Sequence, residues 1–364
     1  MDGGLQHIEG RAQPQVTRRV WVGNVPIGGG APVSIQSMTN TDTADAESTL
    51  KQISALAEAG CDIVRVSVYN EACAEAVRTL VDKSPVPLVA DIHFDHRLAI
   101  KALENGIHKL RINPGNIGGE KNVRVLADCL KMHRVPVRIG VNGGSLEKEL
   151  LEKYGSPTPE ALVESALGHA RLLEDCGFYD IVLSMKCTNV PDTVRAGILA
   201  SERTDYPLHI GVTEAGTPGM GNIKSAIGIG ALLLRGIGDT VRVSLTGDPV
   251  NEVYAAKDIL KAVGLRKEGL NIISCPTCGR TCIPVGEIAE RVRKETLNIK
   301  TPLTVAVMGC VVNGPGEARE ADIGIAGGKS GGMLFVKGQK PVSVKGDLAE
   351  ILINAVKQKL GGAP

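Results

Sequence analysis

Three cysteines fall within eight residues in the last third of the chain, in the segment CPTCGRTC that runs from Cys275 to Cys282. A CxxC pair is compatible with a thiol redox site, a zinc site or an iron–sulfur site, because thiolates serve in all three. Farther along, Cys310 and Glu317 stand seven residues apart in the segment MGCVVNGPGEARE. The spacing therefore predicts a metal or redox site without choosing its kind.

Two ligand sets remain open at this point. A zinc site would use four thiolates and have no catalytic role; these would be Cys275, Cys278, Cys282 and Cys310. An iron–sulfur site would take the same set without Cys282, which then competes with nearby carboxylates for the fourth position. A structural disulfide is disfavoured inside a reducing cell. The other five cysteines are scattered and are interpreted mainly as packing residues, although Cys187 follows a lysine near a strand end.

The segment between Cys310 and Glu317 is expected to be a loop, because Pro315 stiffens it while Gly314 and Gly316 loosen it. Such a loop can bring a thiol and a carboxylate onto one metal. The alternative is that Glu317 merely starts a helix, where the helix dipole favours an acidic side chain.

A second chemical pattern consists of five cations that occupy corresponding places in short β-branched runs. They are Arg65, Arg111, Arg138, Lys186 and Arg242. One arginine in a strand is commonly a snorkelling or paired side chain. Five that converge on one cavity create a like-charge cost that an anion relieves, and arginine binds phosphate oxygens bidentately. The pattern indicates a small phosphate ester or diphosphate as the ligand.

The elements that must position these cations repeat eight times. The runs are VSIQSM from Val33, IVRVSV from Ile63, PLVADIH from Pro87, KLRINP from Lys109, VPVRIGV from Val135, DIVLSMK from Asp180, LHIGVT from Leu208 and TVRVSL from Thr240. Amphipathic helical stretches lie between them, which is typical of parallel βα units. Eight units predict an α/β fold of the (β/α)8 TIM-barrel type over residues 1–266. Residues 267–364, with their own strands and helices, predict a smaller α+β domain in which GIAGGKSGGM forms a hairpin loop.

Alternation along the strands separates side chains that face the helices from those that face the barrel axis. Valine, leucine and isoleucine occupy the helix-facing set. The inward set is polar on every strand: Gln36 and Met38, Arg65 and Ser67, Asp91 and His93, Arg111 and Asn113, Arg138 and Asn142, Ser184 and Lys186, His209 and Thr213, Arg242 and Ser244. Glycine-rich loops after three strands, at 113–119, 141–145 and 213–222, offer further backbone N–H groups.

The candidate acid/base groups near this cavity are Glu214, Asp91 and His93. A carboxylate among arginines commonly serves to organise them, which is the alternative for Asp91. Glu214 lies just past a strand end, where barrel enzymes keep groups that transfer protons, with mainly Asp91 beside it to offset the cations.

Composition excludes several classes. Aromatic residues make up 2% of the chain and its formal net charge is +1, which disfavours a general nucleic-acid binder. No apolar run approaches the ~18 residues that cross a membrane. The first twenty residues lack an apolar signal core, so we expect a cytoplasmic protein.

Five segments together resemble the 4-hydroxy-3-methylbut-2-enyl diphosphate synthase family: VSIQSMTNTDT, LRINPGNIG, VRIGVNGGSLE, SCPTCGR and GCVVNGPGEA. The resemblance runs from about Val20 to the C-terminus. It implies a TIM barrel followed by a domain similar to part of sulfite and nitrite reductases that carries a 4Fe-4S cluster. By resemblance, the cluster ligands are Cys275, Cys278, Cys310 and Glu317, and Cys282 is a bystander.

The same resemblance implies the reaction and the partners. The substrate is 2-C-methyl-D-erythritol 2,4-cyclodiphosphate, which undergoes a two-electron reductive ring opening with loss of water in the methylerythritol phosphate route to isoprenoids. Flavodoxin or ferredoxin supplies the electrons, and each cluster domain of a head-to-tail homodimer caps the barrel of its partner. The residues expected to hold the substrate are Arg65, Asp91, Arg111, Asn113, Arg138, Asn142, Lys186, His209, Thr213 and Arg242, while Glu214 handles protons and Glu317 is an exchangeable ligand.

Two rival functions use the same residues. In the first, a zinc-stabilised barrel lyase or aldolase acts on a phosphorylated sugar through a Schiff base on Lys186, since cationic neighbours lower the pKa of a lysine. In the second, the chain is an iron–sulfur regulator whose barrel only senses a diphosphate.

Overall fold

The computed structural model describes residues 15–93, 95–113, 120–296, 299–312 and 314–361. The fold divides into two compact units, one ending at Leu265 and one beginning at Arg266. Most of the glycine-rich loop at 113–119 lies outside the described residues. The exact domain boundary after residue 266 stays a prediction.

The first unit is built on eight parallel strands. Their bounds are β3 Ser34–Met38, β4 Ile63–Ser67, β5 Leu88–Asp91, β6 Lys109–Ile112, β7 Val137–Asn142, β8 Ile181–Lys186, β9 His209–Ile210 and β10 Thr240–Val241. They run in the order β8-β7-β6-β5-β4-β3-β10-β9, and a parallel bridge between Leu183 and Leu208 joins the two ends. The predicted TIM barrel is therefore confirmed, strand by strand.

Helices follow the strands as the pattern requires. They are α1 Ala46–Glu58, α2 Glu71–Lys83, α3 His96–Glu104, α4 Glu120–His133, α5 Lys148–Tyr154, α6 Pro159–Glu174, α7 Val190–Arg203, α8 Pro218–Leu234 and α9 Val250–Ala262. Side-chain caps set several of the starts: Asp45 accepts from the N–H of Ser48, and Asn189 accepts from that of Asp192. Among the described residues, no helix is long and apolar enough to cross a membrane.

A short antiparallel hairpin, β1 Val20–Val22 and β2 Val25–Ile27, was not foreseen from the sequence. Val20, Val22 and Ile27 pack against three inward side chains near the amino ends of barrel strands; these are Ile63, Val89 and Val182. The hairpin therefore closes the amino end of the barrel with an apolar layer. Two runs of three residues are too short for a periodicity argument to detect.

The second unit contains a five-stranded mixed sheet. Its strands are β11 Leu270–Ser274, β12 Leu303–Met308, β13 Ile323–Gly328, β14 Gly331–Val336 and β15 Val342–Val344, with helices α10 Val285–Glu295, α11 Gly314–Glu320 and α12 Leu348–Lys359. The strands lie in chain order, parallel from β11 to β13 and antiparallel from β13 to β15. Gly328 pairs with Gly331, so GIAGGKSGGM is the predicted hairpin.

Both faces of this sheet are covered, by different kinds of side chain. Valine, leucine and isoleucine of β12 and β13 pack with α10 and α12, whereas Ala306, Met308 and Ala326 pack with Ala318 of α11. Helix α11 lies very close to the sheet, because a Cβ added at Gly324 would be 2.6 Å from the carbonyl oxygen of Ala318. Only glycine fits at that point of β13.

We predict that Gly324→Ala lowers the free energy of unfolding by about 1–3 kcal/mol through overpacking between α11 and β13. Gly286→Ala is the matched control, because a Cβ at that position in α10 meets nothing within 4 Å. Alanine there should be neutral or stabilising by up to about 1 kcal/mol. Urea unfolding of both variants measures the difference, and equal effects would contradict the close packing of α11.

Candidate functional site

The inward polar side chains of the barrel are buried together. Arg65, Asp91, Arg111, Asn113, Arg138, Lys186 and His209 are each at most 8% exposed. Asn142, Thr213 and Arg242 are partly exposed and Glu214 is exposed. The helix-facing partners, such as Val64 and Leu110, join the hydrophobic core, so the predicted strand alternation is what the structure has.

Asp91 lies between two arginines. Arg111 Nη1 is 3.0 Å from Asp91 Oδ1, and Arg65 Nε is 3.7 Å from Asp91 Oδ2. Burial by itself would raise the pKa of Asp91, but Arg65 and Arg111 outweigh it and lower the pKa to about 2. This carboxylate is therefore ionised and is placed to organise the two guanidinium groups.

Arg111 is held from three further directions. Its Nη1 is 2.8 Å from His93 Nε2, and its Nη2 donates to the carbonyl oxygen of Gly140 at 3.3 Å. With the amide oxygen of Asn142 turned toward it, Nη2 also donates to Asn142 at 3.2 Å. A Cβ added at Gly140 would be 2.5 Å from Arg111 Nε, so glycine at this strand position makes room for the guanidinium.

Arg138 and Lys186 are buried with little compensation. Arg138 Nη1 donates to Ser184 Oγ at 2.9 Å, while its Nε and Nη2 have no hydrogen-bond partner within the described residues. Burial, reinforced by Arg138, Arg242 and other neighbouring cations, holds the pKa of Lys186 well below its ordinary value. The positive charges of both side chains are therefore poorly compensated by neighbouring negative charge.

Arg242 is compensated by a residue that the sequence did not reveal. Glu252 in α9 is 3% exposed and lies 3.3 Å from Arg242 Nη2. It also accepts from Ser37 Oγ at 2.8 Å and from the N–H of Leu245 at 3.0 Å. The expectation that mainly Asp91 and Glu214 offset the cations is therefore wrong, because this acid reaches in from a helix and strand parity cannot detect it.

A deeper polar layer lies near the amino ends of the strands. His209, at the start of β9, is 1% exposed, and neither ring nitrogen has a partner within the described residues. Lys109, at the start of β6, is fully buried and its Nζ is likewise without a partner there. Burial holds the pKa of both groups well below their ordinary values. The alternation that placed Arg111 inward also places Lys109 inward, so the sequence carried a signal for it.

Glu214 follows β9 in a backbone conformation that disfavours most residues. Its φ is +50°, and among the described residues only Arg134 and Thr277 share a positive φ without being glycine. Such conformations cost about 1–3 kcal/mol and concentrate at functional sites. Thr277 lies inside CPTC, so two of the three occur at candidate site positions.

The cysteine segments of the second unit meet at one edge of its sheet. Cys275 follows β11 and Cys310 follows β12, two adjacent parallel strands in which Ser274 is paired with Val307. The N–H of Gly309 donates to Cys275 Sγ at 3.2 Å. The described residues contain no disulfide. Donor chemistry and backbone support therefore fit a thiolate-bound metal group at this edge.

Glu317 lies in the first turn of α11 and is exposed. Helix α11 begins at Gly314, so the expected loop does not extend as far as Glu317. The alternative, in which Glu317 lies at the start of a helix, is what the structure has. A Cβ at Gly314 would be 2.9 Å from Met308 Cβ, which puts the start of α11 at the same edge. In the described part of the chain, no three Cys, His or acidic side chains converge on one point.

Cys282 contributes through its backbone. Its N–H donates to the carbonyl oxygen of Gly309 at 2.8 Å, and its exposed Sγ lies 3.3 Å from the carbonyl oxygen of Arg280. Any residue except proline at 282 can supply the first bond.

Fold and site together define a TIM-barrel protein with a cation-lined interior and a second unit that gathers cysteines at a sheet edge. Residues 17–257 match the family model described as the GcpE TIM-barrel domain, and residues 271–358 match that of the GcpE protein C-terminal domain. The chain belongs to the GcpE family.

Relatives resemble the chain over almost its whole length. One from Caldanaerobacter subterraneus subsp. tengcongensis is 59% identical over 94% of this chain and 97% of its own length. One from Clostridium perfringens is 60% identical over 94% of this chain and 98% of its own. One from Geobacter sulfurreducens is 58% identical over 94% of this chain and 98% of its own. Each is named 4-hydroxy-3-methylbut-2-en-1-yl diphosphate synthase (flavodoxin).

We predict that Asp91→Asn lowers the free energy of unfolding by about 3–5 kcal/mol, because it leaves Arg65 and Arg111 buried without a counter-charge. The depressed pKa of Asp91 means that its ionic contribution is present above about pH 4 and is lost as pH falls toward 2. The difference between wild type and variant should therefore narrow over that window.

Urea unfolding at several pH values measures this effect. The control is Asp82→Asn, since Asp82 forms an exposed pair with Arg78 in α2 and should change stability by under about 0.5 kcal/mol. Equal losses from the two variants would show that Asp91 does not organise the arginines.

Proposed function

We propose that this chain converts 2-C-methyl-D-erythritol 2,4-cyclodiphosphate to 4-hydroxy-3-methylbut-2-enyl diphosphate, the product named in its relatives. The reaction opens the cyclic diphosphate, takes up two electrons and two protons and releases one water. The observation that carries the proposal is the excess of buried positive charge in the barrel. A small, multiply charged diphosphate supplies the negative charge that this interior lacks.

The residues that would bind the diphosphate are those around Asp91 and Arg138. Arg138 Nε and Nη2, which have no partner within the described residues, and the buried ammonium group of Lys186 would engage phosphate oxygens. Arg111 is already oriented by four contacts. Because these donors are fixed and dry, the diphosphate replaces its water shell at little reorganisation cost. Arg65, Asn113, Asn142, His209, Thr213 and Arg242 complete the proposed set.

Cys275, Cys278, Cys310 and Glu317 would hold a 4Fe-4S cluster at the sheet edge. When bound, the cluster supplies single electrons and one iron that can take a substrate oxygen. A carboxylate binds a soft iron centre more weakly than a thiolate does. Glu317 is exposed in the first turn of α11, outside the sheet, and would be the weaker ligand of the set. In this arrangement the cysteines would keep the cluster bound to the protein, and Glu317 would be its exchangeable ligand.

Proton transfer is assigned to Glu214. It lies in the loop that follows β9, at the carboxyl ends of the barrel strands, and its side chain is exposed. A carboxyl oxygen there can deliver a proton to the hydroxyl oxygen that leaves as water. The positive φ at Glu214 fixes where the side chain starts and thus helps to aim it.

The ligand assignment predicts distinct outcomes for two variants. After anaerobic purification the wild type should contain about four iron and four sulfide per chain. Glu317→Ala should retain iron, lose it faster to a chelator and lose at least about a hundredfold in turnover, since no exchangeable ligand remains.

Cys282→Ala is the matched control and should keep the iron content, the rate of iron loss and turnover of the wild type. Iron and sulfide analysis with turnover under dithionite measures all three quantities. Stoichiometric zinc in a colourless protein, or full activity of Glu317→Ala, would refute the assignment.

Assembly is the second part of the proposal: two copies form a head-to-tail dimer in which the cysteine edge of one copy serves the barrel of its partner. We predict that Arg138→Met and Cys310→Ala are each inactive alone but regain activity when mixed. Random exchange makes half of the dimers mixed, each with one intact site, so about a quarter of wild-type turnover should return.

The control mixture combines Arg138→Met with Lys186→Met, which damages both barrels and should stay inactive. Sedimentation before and after mixing reports the exchange of subunits. If subunits exchange without any return of activity, each site is completed within one chain.

A further inference from the structure

The cysteine edge of the second unit also carries exposed positive charge. Arg280 lies between Cys278 and Cys282, Lys329 lies at the tip of the β13–β14 hairpin, and Lys345 directly follows β15; all three are exposed. No ion pair or side-chain hydrogen bond engages these three side chains within the described residues. We refer to them as the basic rim.

Close packing fixes two members of the rim around the turn that follows Cys310. A Cβ at Gly309 would be 2.8 Å from Thr281 Cγ2, which places the Arg280 segment directly beside β12. A Cβ at Gly328 would be 3.9 Å from Val311 Cγ1, which places the tip bearing Lys329 on the other side of the same turn.

The third member lies beside the hairpin. A Cβ at Gly331 would be 3.2 Å from Lys345 Cγ, and Gly332 is paired with Val344. The antiparallel pairing therefore returns β15 to the edge at which Cys310 lies. The basic rim thus encloses the Cys310 turn.

The centre of this surface is apolar. Val311 and Val312, which follow Cys310, are 63% and 59% exposed. Two exposed valines surrounded by polar groups have the anatomy of a protein interface, with an apolar centre and a charged rim. Glu317, in the first turn of α11, is an exposed acid at this edge and is itself a proposed cluster ligand.

Charge is unevenly divided along the chain. Residues 266–364 contain fourteen Lys and Arg against nine Asp and Glu, a formal net charge of +5, although the whole chain has only +1. The preceding residues therefore carry −4. A partner that docks on the second unit should be acidic, because complementary charge speeds encounter and orients the complex.

We propose that the basic rim with Val311 and Val312 is the docking surface for an acidic one-electron carrier protein of the flavodoxin type. This inference rests on the proposed function, which needs two electrons delivered singly to the group held by Cys275, Cys278 and Cys310, and it requires the carrier and the barrel of the partner copy to occupy the cysteine edge at different times. A carrier seated on Val311 lies one residue from a ligand cysteine, so its cofactor approaches the electron acceptor closely.

The test is the double variant Arg280→Glu/Lys329→Glu. With reduced bacterial flavodoxin at low salt, its KM for flavodoxin should rise about tenfold while kcat stays within twofold, because rim charges act on encounter. The difference should shrink at high salt, where such charges are screened. Turnover driven by dithionite should match the wild type. Titration calorimetry with oxidised flavodoxin should show a comparable rise in Kd without any turnover.

Lys359→Glu is the matched control. Lys359 ends α12, which begins near Lys345 and runs about 18 Å toward the opposite edge of the sheet. The Lys359→Glu substitution removes the same kind of exposed cation from the same unit. The KM and Kd for flavodoxin should stay within twofold of the wild-type values.

The outcomes separate the docking surface from the proposed function. No dithionite-driven turnover in wild type would refute the proposed function, while the calorimetric result would still decide the docking. Unchanged KM and Kd in the double variant would overturn the docking surface. A shifted monomer–dimer equilibrium with an unchanged Kd for flavodoxin would assign the rim to a second copy of this chain instead.

Discussion

The first unit buries an excess of positive charge inside a closed barrel, and this constraint determines what its interior can bind. Arg65, Lys109, Arg111, Arg138 and Lys186 are nearly inaccessible, whereas Asp91 and Glu252 are the buried carboxylates that face them in the described residues. Each uncompensated buried charge costs several kcal/mol, so the barrel is folded despite this set, by the aliphatic core around it. This cost makes the interior selective for anions. A bound anion compensates the buried positive charge and recovers free energy that folding cost, whereas a neutral molecule does not.

The two carboxylates divide the cations rather than neutralise them. Asp91 joins Arg65 to Arg111, and Glu252 joins Arg242 to the loop at Leu245, so Arg138 and Lys186 are the cations nearest the mouth that these two carboxylates do not pair. An incoming phosphate is therefore drawn toward these two cations. Fixed donors with no counter-ion are preorganised, and such donors are worth more in a dry cavity than in water. Asp91 contributes to binding by holding its arginines still, which fits an organising carboxylate better than an acid/base group.

Strand periodicity predicted the barrel, its eight strands and the inward polar set, because alternation and burial report the same physical constraint. Strand periodicity could not predict the side chains and segments that reach the barrel from outside its strands. Glu252 reaches the cavity from α9, and the β1–β2 hairpin reaches the barrel floor from the N-terminal segment, and neither has a periodic signal. Lys109 shows the opposite case: strand alternation predicts that its side chain faces inward, but it lies at the amino end of β6, away from the strand ends that carry the site. At the cysteine edge, the motif predicted the ligand types, but whether Glu317 lay in a loop or a helix depended on the contact of α11 with Gly324.

Both units place their reactive side chains where parallel strands end. In the barrel this is the mouth above β3 to β10, and in the second unit it is the edge where β11 and β12 meet. Loops that leave such an edge vary in sequence while the strands beneath them keep their register. Register is the constraint that matters at the cysteines: because Ser274 is opposite Val307, Cys275 lies beside Gly309 and receives its N–H. A shift of one residue would turn Cys275 to the other face of the sheet and separate it from Cys310. Strand β12 is buried on both faces, and its aliphatic residues therefore fix the register that keeps Cys275 near Cys310. The strand itself contributes no ligand.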